Sequence, residues 1–399
     1  MKPENHAILT GPMSHPLSLY LHIPFCISKC TYCAFNTYIR LEHLIPPFVE
    51  ALQTELRCCA AGAGGRTVHT IFLGGGTPSL LQTEQLADIL RTIYLCFDVC
   101  TDVEVTLEAN PNDLNQEWLA AAFDAGINRL SIGVQSTQAR DLRLFARRHD
   151  NDQVVQAVLD ARQAGFDLVN LDLIYGVPEQ SLRDWEQTLA EVLLLKPGHF
   201  SLYALSLEAG TPLQEWVARG EVAAPDDDLA AEQYELSSEV LAAAGYQQYE
   251  ISNWALPGQE CRHNLQYWRN LDWLGLGPGA HGHVAGTRTR TCLSPRKYIE
   301  AFSGGRERAN YPATPATEEV VHLTRKEEIS ETLIMGLRLT EEGIGRAGFS
   351  RRFGEDVTDI FGDELRAHEK GGLLEIMRDR IRLRPEGRLL ANQVFRDLV

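Results

Sequence analysis

The sequence predicts an α/β fold followed by a smaller α+β module, on three observations. Six short β-branched and apolar runs alternate with longer segments of helical period, the pattern of parallel β/α units. The chain has 399 residues, 44% of them apolar, which exceeds the usual single domain and can bury a large core. Past residue 317 the alternation gives way to helices and a hairpin.

Strands are expected at residues 18–23, 68–73, 103–107, 129–134, 168–174 and 200–205, and helices at 45–61, 84–94, 115–124, 152–164 and 182–195. An open barrel and a doubly wound sheet both suit these units, and periodicity does not choose between them. A helix at 232–243 and a strand at 246–251 lead into a Gly-rich, aromatic segment at 253–286, and residues 311–317 read as a Pro- and Thr-rich linker. Helices at 327–339 and 356–370, a hairpin at 373–378 and 380–384, and a closing helix at 387–398 give the order of a winged-helix-like module. The expected organisation is an N-terminal extension (1–16), a β/α body (17–252), the segment with its linker (253–317) and the C-terminal module (318–399).

A formal charge of -17, from 37 Lys and Arg against 54 Asp and Glu, disfavours nucleic acid or an anionic membrane as the main partner. Basic and acidic residues are close to balance in the C-terminal module, too even for a DNA-reading domain. Residues 1–15 hold no apolar run of signal-peptide length, and no uncharged apolar stretch reaches ~18 residues, so a cytoplasmic protein is expected. In that reducing compartment the nine cysteines read as metal ligands or buried apolar residues rather than disulfides. Cys58, Cys59, Cys96 and Cys100 fall in helix-like segments and are expected to be structural.

The strongest chemical signal is Cys26, Cys30 and Cys33, a CxxxCxxC run directly after the first expected strand. Soft thiolates select zinc, copper(I) or iron-sulfur clusters, and a structural zinc would want a fourth ligand nearby. Three ligands instead suit a [4Fe-4S] cube with one iron left open. Gly74, Gly75 and Gly76 follow the second strand, where small residues let backbone approach a ligand closely; no Gly-Lys-Ser/Thr follows to make a phosphate loop. Glu108, Gln135 and Asp172 end later strands, at the face where β/α barrels carry their sites, although a buried structural pair would look the same.

These motifs resemble the radical S-adenosylmethionine (SAM) superfamily. Tyr20-Leu-His-Ile-Pro-Phe-Cys26, the Gly74–Ser79 run, Glu108-Ala-Asn-Pro111, Gly133-Val-Gln135-Ser136 and Leu171–Gly176 together resemble its oxygen-independent coproporphyrinogen oxidase and HemW-type haem-chaperone branch. The likeness runs from about Leu17 to Gly282 and is weaker in the C-terminal module. It implies an open (β/α)6 partial TIM barrel, with Cys26, Cys30 and Cys33 holding the cluster and SAM on the open iron. It further implies Gly75, Gly76 and Thr77 at the methionine end of SAM, and Glu108 on the ribose. Arg147, in the helix after strand four, would meet the SAM carboxylate; Tyr20, Gln135 and Asp172 would complete the site, with Tyr32 near the adenine.

Two features separate the branches. The oxidase branch carries a fourth cysteine two residues after the third, where this chain has Phe35. His263-Asn264-Leu-Gln-Tyr267-Trp268 has the HNxxYW form of the chaperone branch, followed by a Gly-rich run ending Ala280-His281-Gly282. His263 is the expected haem ligand, with Tyr267 and Trp268 lining the macrocycle, Cys261 and His281 as rivals, and a hydrogen-bonded core histidine as the plainer reading. The resemblance thus implies a carrier of haem to apo-haemoproteins such as respiratory cytochromes, served by an electron donor and meeting membranes only peripherally through clients. The alternative is a coproporphyrinogen III oxidase that decarboxylates porphyrinogen propionates.

Overall fold

In the computed structural model, residues 16–303 and 310–399 are described; the expected N-terminal extension lies, but for its last residue, outside them. Six parallel strands, β1 (Leu17–Ile23), β2 (Thr67–Gly75), β3 (Asp98–Ala109), β4 (Arg129–Gln135), β5 (Leu168–Tyr175) and β6 (His199–Ala204), pair in chain order. Between them lie α1 (Ile45–Gly62), α2 (Thr83–Cys96), α3 (Gln116–Ala125), α4 (Ala139–Leu144), α5 (Asn151–Gln163) and α6 (Leu182–Leu194). Helix starts are set by local chemistry: Asn115 caps α3 through Trp118 N, and Asp150 and Ser181 form capping boxes with Gln153 and Asp184. Gly126 ends α3 at φ +112, a conformation that a side chain would strain.

Alternation along the strands explains the layering. Leu17, Leu19, Leu21 and Ile23 of β1 are all buried outward in the cluster that includes Phe48, Leu52 and Leu56 of α1. Fully burying each such side chain contributes about 1.5–3 kcal/mol. The intervening inward positions are largely polar: Tyr20, Thr106, Glu108, Ser131, Asn170, Asp172 and Ser201 face a cavity, not a packed barrel core. The sheet remains open, because its two edges are different strands.

The segment expected as a separate stretch after residue 252 is woven into this sheet. Strands β7 (Gln247–Glu250) and β8 (Asn253–Ala255) extend it past β6, where β8 runs antiparallel. On the other side β9 (Trp273–Leu276) lies parallel to β1, followed by antiparallel β10 (His281–Val284), β11 (Thr287–Thr291) and β12 (Thr317–His322). The order is β12-β11-β10-β9-β1-β2-β3-β4-β5-β6-β8-β7. The boundary at 252/253 therefore cuts a continuous sheet, and Cys100, expected in a helix, sits in β3.

The C-terminal module has its own core, including Leu333, Phe349, Leu365, Leu374 and Ile381. The expected hairpin forms between Leu374–Ile376 and Arg380–Leu383. The helix expected at 356–370 breaks into Val357–Ile360 and Gly362–Lys370 because Phe361 leaves helical geometry at φ -121, and the closing helix divides likewise at Leu390. The module docks beneath the sheet: Arg338 stacks 4.4 Å over Trp268, and Arg388 Nη1 donates to Gln248 Oε1 at 2.7 Å. No helix among the described residues is long and apolar enough to cross a membrane.

Candidate functional site

A cavity of about 740 Å³ opens at the C-terminal ends of the barrel strands. The cysteine loop forms one wall. Phe25–Cys26 and Tyr38–Ile39 pair as a short parallel ladder that closes the loop, and Thr31 ties it to the barrel through Oγ1 to Leu144 O at 2.7 Å. Cys26, Cys30 and Cys33 all line the cavity and are half-buried. Burial pushes the Cys26 and Cys33 thiols up, and the neighbouring sulfurs add to this, so the loop favours neutral thiols until a cation compensates their charge. Thr77 Oγ1 lies 3.5 Å from Cys26 Sγ and Arg147 Nη1 3.4 Å from Cys30 Sγ, two donors aimed at sulfur. Among the described residues no three ligating side chains converge on a single ion; a four-iron cube spaces its sulfurs more widely, and the all-thiol donor set with outer donors fits it.

Beside the loop, Gly75 adopts φ +106 with no room for a Cβ beside the His22 ring, and a Cβ on Gly76 would lie 2.7 Å from the Ile23 and Phe25 carbonyl oxygens. Glycine is required here by close approach. Gly75 N donates to Glu108 Oε2 at 2.9 Å. Burial lifts the Glu108 carboxyl from 4.5 to about 7, against the Gly75 hydrogen bond and with help from Asp172. Asp172 is also pushed up by burial, while Ser131 Oγ and Asn170 Nδ2 each donate to it at 2.8 Å. Gln135 is held at φ +66, a strained conformation for a non-glycine residue, at the cavity wall.

Arg147 belongs to the loop after α4, not to a helix as expected, because Ala146 at φ +54 turns the chain. Its Nη2 donates to Asn110 Oδ1 and to Gly133 O, both at 2.6 Å, and its Nε has no partner. Arg148 instead pairs with Asp113 at 2.9 Å. Tyr20 and Tyr32 face the same cavity, Tyr20 OH 3.0 Å from His22 Nδ1 and Tyr32 edge-on to Phe145 at 4.8 Å. One cavity thus gathers the cysteines with the residues expected to meet SAM. Sequence reasoning missed Asn110, which bonds both Arg147 and Thr77, and the Ser131–Asn170–Ser201 network around Asp172. Its signal was polar residues at alternate positions of otherwise apolar strands.

The HNxxYW segment behaves differently, and the structure argues against His263 as a haem ligand. His263 is 1% exposed at the inner end of the cavity. Its Nδ1 meets Thr70 Oγ1 at 2.8 Å, its Nε2 meets Tyr267 OH at 2.9 Å, and its ring stacks on Phe72 at 5.1 Å. Neither nitrogen is left for iron. Burial lowers its pKa to about 3, keeping the ring neutral. Trp268 lies under Arg338 of the C-terminal module, away from the cavity lining. The rival Cys261 is buried against Glu104, whereas His281 is exposed at the start of β10.

Residues 20–192 match the Radical SAM superfamily and residues 323–390 the HemN C-terminal domain. The chain is 40% identical over 394 residues to heme chaperone HemW of Mycobacterium tuberculosis, covering 98% of this chain and 96% of that one. It is 35% identical to the Bacillus subtilis heme chaperone HemW over 95% of this chain and 98% of the relative. Among solved structures it superposes on the Escherichia coli coproporphyrinogen III oxidase HemN with a TM-score of 0.83 at 24% identity, covering 96% and 90%, which shows a shared fold. With such identity across nearly the whole of both chains, this protein belongs to the HemW family of the radical SAM superfamily.

Proposed function

We propose that this chain is a haem carrier that holds a [4Fe-4S] cluster on Cys26, Cys30 and Cys33, binds SAM in the barrel cavity, and delivers haem to apo-haemoproteins. The observation that carries the reading is the convergence of three thiols, the Gly75–Gly76 turn, Glu108 and Arg147 on one cavity, in a chain whose relatives are named heme chaperones. When bound, a reduced cluster with SAM supplies one-electron chemistry. The chain's part is orientation. Gly76 lets the SAM methionine end lie against backbone, Arg147 offers a guanidinium to its carboxylate, and ionised Glu108 accepts from the ribose hydroxyls. Asp172, Gln135 and Tyr20 fill the remaining wall, and Tyr32 packs near the adenine.

Phe35 favours carrier over oxidase: the position where the oxidase branch has a cysteine is an exposed phenyl ring. The place of action is the cytoplasm, with an electron donor for the cluster and peripheral membrane contact through clients such as respiratory cytochromes. Anaerobically reconstituted protein, with its cluster absorbance intact, is incubated with reductant, SAM and either coproporphyrinogen III or haem. Formation of a haem Soret complex without protoporphyrinogen IX is expected; robust conversion to protoporphyrinogen IX overturns the reading.

A further inference from the structure

The cysteine loop carries an apolar surface that the cluster and SAM readings do not use. Phe35 is 69% exposed, the most exposed aromatic ring among the described residues. Cys26 pairs with Ile39 in the short ladder and Ile27 follows Cys26 on the same loop; Ile27 and Ile39 are 46% and 40% exposed. Asn36 Nδ2 and Tyr38 OH donate to Leu293 O at 3.0 and 3.1 Å, bringing Leu293, 47% exposed, to the same rim. Single exposed apolar residues are ordinary, but four on two neighbouring segments that these hydrogen bonds tie together make a surface that calls for an occupant. Ile27 and Phe35 also line the cavity mouth, so the patch is continuous with the site.

Its charge is opposite to that of the chain. Lys29, Arg40, Arg296 and Lys297 are exposed on these same stretches, against Glu42 and Glu300, in a protein of net charge -17. None of the four cations reaches ion-pair distance of a carboxylate among the described residues; Arg296 touches only the His43 ring, at 3.5 Å. Elsewhere exposed arginines pair readily, as Arg269 does with Glu342 at 2.7 Å and Arg325 with Glu355 at 2.7 Å. A flat apolar ring bearing carboxylates matches an apolar rim edged by cations that meet no carboxylate among the described residues.

The geometry points to this rim as the haem-docking surface, with the macrocycle against Phe35, Ile27, Ile39 and Leu293 and its carboxylates toward Arg40 and Arg296. The inference rests on the haem-carrier reading and gives that reading a location outside the HNxxYW segment. Apolar contact supplies most of the affinity, and the cations orient the ring and respond to salt.

The test titrates cluster-intact, anaerobic protein with haem and with haem dimethyl ester, whose carboxylates are capped, following the Soret band. Arg40→Glu combined with Arg296→Glu is expected to weaken haem at least tenfold and to leave ester binding unchanged. Phe35→Ser should weaken both ligands while the cluster absorbance stays constant. The milder Arg40→Gln with Arg296→Gln should give a smaller loss in the same direction, which guards against misfolding of the charge-reversed protein. Wild-type haem affinity in these variants overturns the location and leaves the carrier reading standing. Unchanged haem affinity with slower cluster reduction by an acidic electron-transfer protein assigns the rim to the electron donor and overturns the proposal. Absence of haem binding by the wild type defeats the carrier reading itself, and the docking surface with it.

Discussion

At the mouth of the barrel cavity, Cys26, Cys30 and Cys33 hang in a loop with donors at Thr77 and Arg147 facing their sulfurs, and Arg147 Nε is left without a partner. At its inner end, His263 and Tyr267 belong to a helix beneath the sheet, and each ring nitrogen of His263 is engaged by a neighbouring hydroxyl. Both regions hold residue types that bind metals and cofactors. They differ in whether those atoms already satisfy one another, because a buried group with full hydrogen bonding gains nothing from a ligand and loses its partners by taking one. A motif marks a site only when the fold leaves its polar atoms available.

The largest expected effect that would break this contrast is at the mouth. Cys30→Ala should abolish the iron-sulfur absorbance after anaerobic reconstitution, whereas Cys58→Ala in α1 should leave it intact. A cluster that survives Cys30→Ala contradicts the assignment. Next come the SAM contacts: Glu108→Ala or Arg147→Ala, measured by equilibrium binding to the reconstituted protein, should each weaken SAM by about 1.5–3 kcal/mol, roughly ten- to a hundredfold. Because burial holds Glu108 protonated up to about 7, SAM affinity should rise as pH climbs through that value and lie flat in Glu108→Gln. Unchanged affinity in both Ala variants would remove this half of the map.

At the inner end the sign of the expectation reverses. His263→Ala strands the Tyr267 hydroxyl, while Thr70 keeps its bond to Ser18, and should cost about 1–3 kcal/mol of stability in denaturant titration, with the haem spectrum unchanged. A lost Soret complex in a folded variant would restore His263 as a ligand. The smallest effect is expected beside Arg147. Arg148→Ala removes a partly exposed ion pair with Asp113, worth about 0–1 kcal/mol, and should leave SAM affinity alone, sharpening the choice of its neighbour Arg147.

The six barrel strands and the three cysteines were legible because their signals are local. Alternation shows in β1 as Leu17, Leu19 and Leu21 against Ser18, Tyr20 and His22, and the cysteines lie within one loop. Strand β9 was not, because Trp273–Leu276 is four residues in a Gly-rich stretch and becomes a strand only by pairing with β1, far away in sequence. The full hydrogen bonding of His263 was hidden for the same reason: Tyr267 stands within the motif, but the second partner, Thr70, lies 193 positions away. Arg147 sits in a helix-like composition that one positive φ at Ala146 interrupts. In each case the missing information was a tertiary contact or a single backbone angle.

The central claim, that the chain carries haem rather than making its precursor, is tested most directly by transfer. Haem-loaded, cluster-intact protein is mixed anaerobically with an apo-cytochrome, and the acquired haem is read from the cytochrome spectrum and its activity, beside the same amount of free haem. Faster or more complete loading of the apo-cytochrome from the protein is the predicted result. Loading no better than from free haem, in a preparation that converts coproporphyrinogen III, would contradict the account.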